Sequence, residues 1–555
     1  METRDYTTRD GYWGRKASRR RLLGGMATGG LGLAALGLIG CGDDDSTGSS
    51  PTAGGTTAPA TSAAEKIKTG GELKISYGLE PSSLDPHTGN SGGDNYFYED
   101  MFDVLIQRDK DNKLDGTLSL AEKWEVVDPL NLTLHLRKGV TFHDGTPFNA
   151  EVVKWNIQRV QDPATKSVGR PTFINVDAIE TPDDSTVKLK LKEPNAALLT
   201  LLSGRGGVMV SRAAVDKFGD QFRSHPVGTG PFIFEEWTPA AQVRMKKNPN
   251  YWGKDAQGNP LPYLDRVTMK IITDSSTAFA ALQTGDVLMG GIDPKDLDQA
   301  KAIPGLQIIQ KDGTGISSVM VINKRAPGGD DLNFRKAIMY AVDPAAAKKA
   351  IFFDLAIIAK GAHWPPGTFA YQDIVAHPTY DLAKAKDFLS KSKVDLNTEF
   401  QMISWDSRTI IQQGELYAEA LRKLGVKTKQ TTMAVGPATN EAFSGTTFTI
   451  YPTSWSLYVD PDQASSGIYD KDATYNTGKT QTPEILKLIA DGRKEYDTEK
   501  RKAIYKDLAT AILDDSWHTP LLYSIAFLGL AKNVKGSNLV FSGDAKWRYK
   551  NLWLA

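Results

Sequence analysis

Seven histidines are spread along the 555 residues, as His87, His135, His143, His225, His363, His377 and His518. None stands three or four residues from another, so no helix presents two of them to one metal ion. The zinc-hydrolase pattern fails on that spacing. The chain also lacks a G-x-S-x-G nucleophile elbow, a G-x-x-x-x-G-K-[ST] phosphate loop, and a G-x-G-x-x-G between a strand and a helix. Gly228-Thr229-Gly230 has neither the third glycine nor the lysine of such a loop and reads as a turn. Carboxylates are plentiful enough to keep a secreted carboxylate-type hydrolase as a remote alternative. No nucleophile, base and orienter are grouped, however, so the expectation is no catalytic residue, no metal and no cofactor. The chemistry left to this chain is binding.

Those binding groups need a scaffold, and the composition supplies one. The chain is 40% hydrophobic and 24% charged, with 66 Lys and Arg balancing 66 Asp and Glu. It has apolar surface for several cores and no basic excess for nucleic acid. Strand alternation marks Leu73 to Tyr77, places Leu130, Leu132, Leu134 and Leu136 on one face, and recurs in Val187, Leu189 and Leu191, then Val267, Met269 and Ile271. Helical stripes come later. One runs from Phe334 to Val342, with Asp343-Pro344 opening the next helix. Asp381 caps another, Leu416 to Leu424 stops at Gly425 before a strand from Val426, and Pro483 to Leu513 carries two more. Sheet-rich early sequence followed by helix-and-strand alternation predicts an α/β fold.

Residues 1–40 read as a targeting segment, because Arg15, Lys16, Arg19, Arg20 and Arg21 precede an apolar run from Leu22 to Gly40. Ser18-Arg19-Arg20-Arg21-Leu22-Leu23 resembles a twin-arginine export signal, and Leu38-Ile39-Gly40-Cys41 resembles a bacterial lipobox. That resemblance implies cleavage before Cys41 and a lipid anchor on it, hence an extracytoplasmic, membrane-anchored lipoprotein in the periplasm or at the cell surface. Seven glycines in the apolar run weigh against a membrane span. Cys41 is the single cysteine, which excludes an internal disulfide. Residues 41–68, rich in Asp, Ser, Thr, Gly, Pro and Ala, read as a flexible tether.

Four segments carry a family resemblance. They are Gly70-Gly71 with Leu84-Asp85-Pro86; Leu120 to Trp124 leading through Leu136-Arg137-Lys138-Gly139-Val140 to Phe142-His143-Asp144-Gly145-Thr146-Pro147-Phe148; Pro226 to Phe232 with Asn250-Tyr251-Trp252; and Phe334 to Ile338 with Asp343. Together they resemble the solute-binding proteins of ABC importers, the oligopeptide- and dipeptide-binding family, across Gly70 to Ala555. Glu151 departs from the aspartate usual there.

The resemblance implies a periplasmic-binding-protein-like two-lobe α/β fold with an extra sheet-rich subdomain in the first lobe. Expected boundaries are 69–315 for lobe I, with the inserted subdomain at about 90–205, 316–519 for lobe II, and 520–555 for the return to lobe I. The outward crossing falls near Gly313 to Val321 and the return near Pro520 to Phe527. A monomer is expected, binding a small-molecule or peptide ligand between the lobes and meeting an importer permease.

Peptide-binding members set an aspartate two or three residues after a tryptophan against the ligand's amino group. In Trp455-Ser456-Leu457-Tyr458-Val459-Asp460-Pro461, Leu457 and Tyr458 hold those places and the first carboxylate is Asp460. Asp460 is either the ammonium partner or a turn residue before Pro461. The aromatic candidates are Trp455 and Tyr458 foremost, with Tyr77, Trp405 and Trp364, whose flat rings suit apolar peptide side chains or sugar faces. A peptide is the leading ligand class, with an oligosaccharide or another non-peptide solute as the alternative.

Overall fold

The computed structural model describes residues 66–89, 92–456, 458, 460–537 and 547–555. Arg19, Arg20 and Cys41, with the expected leader and nearly all of the tether, lie outside the described residues, as do Leu457 and Val459.

An antiparallel sheet of four strands stands apart from the main body, in the order Ala121–Asp128, Asn131–Leu136, Thr186–Leu191, Val176–Asp183. Leu132 faces Leu189 and Leu134 faces Val187, so alternating side chains from paired strands fill one buried layer. The helix Ala150–Gln161 covers that layer with Val153, Ile157 and Val160. Asn149 caps it by accepting from the Val152 amide at 3.1 Å. Leu130 packs against the same core as Leu132, Leu134 and Leu136, although the strand itself begins at Asn131: its amide donates to Asp128 Oδ1 at 2.8 Å, while its carbonyl accepts from the Leu191 amide at 2.7 Å.

The main sheet has eleven strands. Its path runs Lys427–Met433, Glu399–Trp405, Ile450–Ser456, Gln307–Ile322, His518–Leu530, Met289–Gly291, Glu72–Tyr77, Arg266–Ile271, Gln242–Lys247, Phe232–Thr238, with Ala356–Ile358 added beside His518–Leu530. Two of these strands serve both ends of the molecule. Gln307 to Asp312 pairs with Ile525 to Leu530, whereas Ile316 to Val321 pairs with His518 to Tyr523, and the register shifts between Asp312 and Ile316. On one side of that shift the packing belongs to a core of Leu73, Phe97, Met245, Met269 and Leu528. On the other it belongs to Ile322, Phe334, Met402, Tyr417, Ile450 and Leu513. Each fully buried Leu, Ile or Phe contributes on the order of 1.5–3 kcal/mol. The two cores are therefore separately stabilised bodies joined through a pair of irregular strands.

Capping follows the sequence. Asp331 caps Leu332–Ala341, Asp343 caps Pro344–Phe352 with Pro344 in its first turn, and Asp381 caps Leu382–Lys391. The tail returns to the first body, where the Tyr549 amide donates to Asp100 Oδ2 at 3.1 Å and Trp547 packs edge-on to Tyr77.

Candidate ligand cleft

Strand direction places the site. Met289–Gly291 runs antiparallel to His518–Leu530, and Glu72–Tyr77 runs parallel to Met289–Gly291, so the carboxyl end of Glu72–Tyr77 points at the crossing. From the other body Ile450–Ser456 runs antiparallel to Gln307–Ile322, and its Trp455 lies opposite Ile316, beside the register shift. Glu399–Trp405 is parallel to Ile450–Ser456. Two groups of parallel strands thus aim their carboxyl ends at one crossing, the place where open α/β sheets hold ligands.

Three expected site residues sit at those ends. Tyr77 closes its strand, half-buried, stacked on Tyr96 at 4.7 Å and edge-on to Phe97 at 5.3 Å. Trp405 closes Glu399–Trp405, and its Nε1 donates to Thr453 Oγ1 at 3.4 Å. Trp455 is half-buried and sits edge-on to Tyr475 at 4.9 Å, His518 at 5.2 Å, His363 at 6.0 Å and Phe443 at 6.1 Å. Tyr458 follows it, half-buried, its phenol pushed up to about 12 by burial and so neutral.

Two expected residues are placed elsewhere. Trp364 is 1% exposed and packs edge-on to Tyr505 at 5.7 Å, inside the second core, so it offers no face to a ligand. Asp460 is buried against Arg501, whose Nη1 and Nη2 donate to its two oxygens at 2.8 and 2.7 Å. It also accepts from the Asp462 amide at 2.9 Å, as a capping residue before Pro461 does. A fork-to-fork pair of this kind occupies both oxygens in the plane where an ammonium would bind. Asp462 beside it is paired with Arg493 at 3.1 Å. Both of these carboxylates are thus engaged by arginines of the same body.

Residues that sequence reading missed complete the site. Tyr475 packs edge-on against Trp455 from a loop twenty positions on, and nothing in the spacing announces it. His363 and His518, 155 positions apart, come within 4.4 Å, ring centre to ring centre. Both are buried. His363 Nδ1 meets Tyr469 Oη at 2.7 Å, while His363 Nε2 and both His518 nitrogens have no hydrogen-bond partner. Burial pushes His363 down to about 3 and His518 well below the usual range, so both imidazoles are neutral. Among the described residues no group of three or more His, Cys, Asp or Glu could hold a metal ion.

Arg205 belongs to the first body. It donates to Gly89 O, lies 3.9 Å from Asp94 Oδ2 and stands 5.9 Å over the Tyr98 ring. It is also near enough to Tyr475 to oppose, by its charge, the upward shift that burial gives that phenol. The Gly-rich run Gly204-Arg205-Gly206-Gly207 was the available signal: a Cβ on Gly207 would meet Leu202 O at 1.7 Å.

Away from the crossing, the four-stranded subdomain touches the second body. Ala196 N donates to Arg493 O at 2.8 Å, Tyr496 Oη donates to Pro129 O at 3.1 Å, and Lys494 pairs with Glu193 at 3.8 Å. A narrow crevice follows this seam between Leu132, Leu198, Phe369 and Arg501.

Comparison with known proteins follows the same lines. Residues 117–476 match the family described as bacterial extracellular solute-binding proteins, family 5 Middle. The chain is 29% identical over 459 residues to the glutathione-binding protein GsiB of Pectobacterium atrosepticum, covering 80% of this chain and 86% of that one. The fold is that of DppA from Helicobacter pylori, solved in complex with the peptide STSA, with a TM-score of 0.77 and 23% identity over 88% of this chain and 98% of that one. AgaA, from A.tumefacien R10 and solved in complex with agropinic acid, aligns with a TM-score of 0.75 and 26% identity, covering 87% of this chain and 99% of that one.

Proposed function

Because the chain belongs to the bacterial extracellular solute-binding proteins of family 5, we propose that it takes a peptide-sized solute into the cleft at the strand crossing and delivers it to an ABC importer permease. The observation that carries this reading is the convergence of carboxyl strand ends from both bodies, with Tyr77 on one side and Trp405 and Trp455 on the other. Aromatic faces supply area for apolar side chains, and hinge motion at the crossing encloses them. The protein is read as a non-catalytic, monomeric, extracytoplasmic lipoprotein. Among the described residues no helix is long and apolar enough to cross a membrane. Anchoring through Cys41 and export through Arg19 and Arg20 belong to the same proposal.

Thermal shift against glutathione, short peptides and oligosaccharides tests it. A bound solute raises stability by RT ln(1 + [L]/Kd) and is recovered unchanged. Recovery of an altered solute turns the reading toward a hydrolase, and stabilisation by oligosaccharides alone turns it toward sugar. Trp455→Ala is expected to weaken the best solute at least tenfold, about 1.4 kcal/mol, by calorimetry. Cys41→Ser is expected to release the protein from membranes, and Arg19→Lys with Arg20→Lys to block its export.

A further inference from the structure

Resting on that reading, we propose that the seam between the four-stranded subdomain and the second body is the latch of the closed cleft, and that Arg493 is the positioning residue that ties this latch to the loop after Trp455. The helix Pro483–Lys494 ends at the seam. There the Arg493 carbonyl accepts from the Ala196 amide at 2.8 Å, Lys494 meets Glu193 at 3.8 Å, and the Tyr496 hydroxyl donates to Pro129 O at 3.1 Å. The ion pair is exposed and adds little, since solvent screens it. The Tyr496 ring adds more: half-buried, it packs against the core of the subdomain, which contains Leu132, Leu198 and Leu199. The crossing strands join the bodies at one place and the seam joins them at another, so rotation about the crossing has to part the seam. Its hydrogen bonds do not survive such a displacement. All of these contacts are between groups of the chain itself, and they favour the closed arrangement with or without a solute.

The same helix end is bound inward, to the loop that follows Trp455. Arg493 Nε donates to Asp462 Oδ1 at 3.1 Å, and its Nη2 donates to Ser466 Oγ at 2.6 Å. One residue earlier, Gly492 O accepts from Arg501 Nε at 2.9 Å, while the other two nitrogens of Arg501 hold Asp460. Asp460 and Asp462 are 1% and 4% exposed, and a carboxylate so buried does not part from its guanidinium without a large penalty. Helix end and loop therefore move as one piece. A solute that fits against Trp455 with the loop in this place leaves the Arg493 carbonyl aligned on Ala196. A solute that pushes the loop aside carries Arg493 with it and opens the latch, so the seam favours solutes that let the bodies close.

The test uses the full chain with Tyr496→Ala, Arg493→Gln, Arg493→Lys and the double variant Arg493→Gln with Tyr496→Ala. Small-angle X-ray scattering of the free chain, hydrogen exchange of residues 460–466, and dissociation rates of glutathione, Ala-Phe-Ala and maltotriose are the readouts. Tyr496→Ala is expected to raise the radius of gyration and to speed dissociation of the bound probe about threefold or more, with the association rate within about twofold. Exchange in 460–466 is expected to quicken in Tyr496→Ala and in Arg493→Gln, to be no faster in the double variant than in Arg493→Gln alone, and to stay near wild type in Arg493→Lys, which keeps the charge beside Asp462. An unchanged radius of gyration or an unchanged dissociation rate in Tyr496→Ala would overturn the latch, and exchange effects that multiply in the double variant would overturn the role of Arg493. Either result leaves the solute-binding reading standing. Binding of none of the three probes, with scattering and exchange changed as expected, would overturn that reading and support the latch.

Discussion

Asp460 and Arg501 are 1% and 5% exposed, and each would be a desolvated charge without the other. Asp460→Asn is therefore expected to cost about 3–5 kcal/mol, read from urea unfolding. Because the carboxylate points at Arg501 and not at the cleft, the folded fraction of that variant should keep the wild-type order of solutes in calorimetry. A change in that order, with stability intact, would return Asp460 to the ligand. The sequence left Asp460 between turn and ligand because its partner is 41 positions away on another helix. Pro461 made the turn legible, since capping is local. The arginine was not, since no local rule links the two.

At the scale of elements, the pair of crossing strands joins the two bodies. Gly313 sits in the register shift with φ +67°, and a Cβ there would meet Pro366 O at 2.3 Å. Gly313→Ala is expected to destabilise by about 1–3 kcal/mol, because it adds both a left-handed backbone strain and a clash with backbone. Gly291→Ala is the control, with open space within 4 Å and no positive φ, and should stay within about 0.5 kcal/mol. Denaturant midpoints of the two variants measure the difference. Alternating leucines and capping aspartates announced these elements because strand period and cap chemistry act over a few residues. Leu130 keeps its place against the leucine core although Asp128 holds its amide in a turn and the strand begins one residue later.

Across the whole molecule, His87, His363, His377 and His518 are buried and held neutral. Burial pushes His87 down to about 4 and His363 to about 3. The unfolded chain binds protons at these groups near ~6.5 and the folded chain does not, so stability is full above that value and falls as pH drops below it. His363, whose folded value lies lowest of those given, contributes a slope of about 1.4 kcal/mol per pH unit between roughly 5.5 and 4.5. His363→Gln is expected to flatten the measured curve of unfolding free energy against pH by about one such increment. An unchanged slope would mean that the ring takes up its proton within the fold.

By itself the sequence determined the α/β class, the strand and helix positions, the four family segments and the absence of recognisable catalytic spacing, since each rests on periodicity or on neighbours a few residues apart. Tertiary structure alone decided which aromatic rings stand at strand ends beside the crossing. Trp364 and Trp455 are equally apolar, yet one is enclosed beside Tyr505 and the other stands at a strand end beside the crossing. It also brought His363 to His518, a contact made by closing a loop of more than a hundred residues. Burial and charge pairing depend on which surfaces meet when the bodies pack, and no local pattern of residue types encodes that meeting.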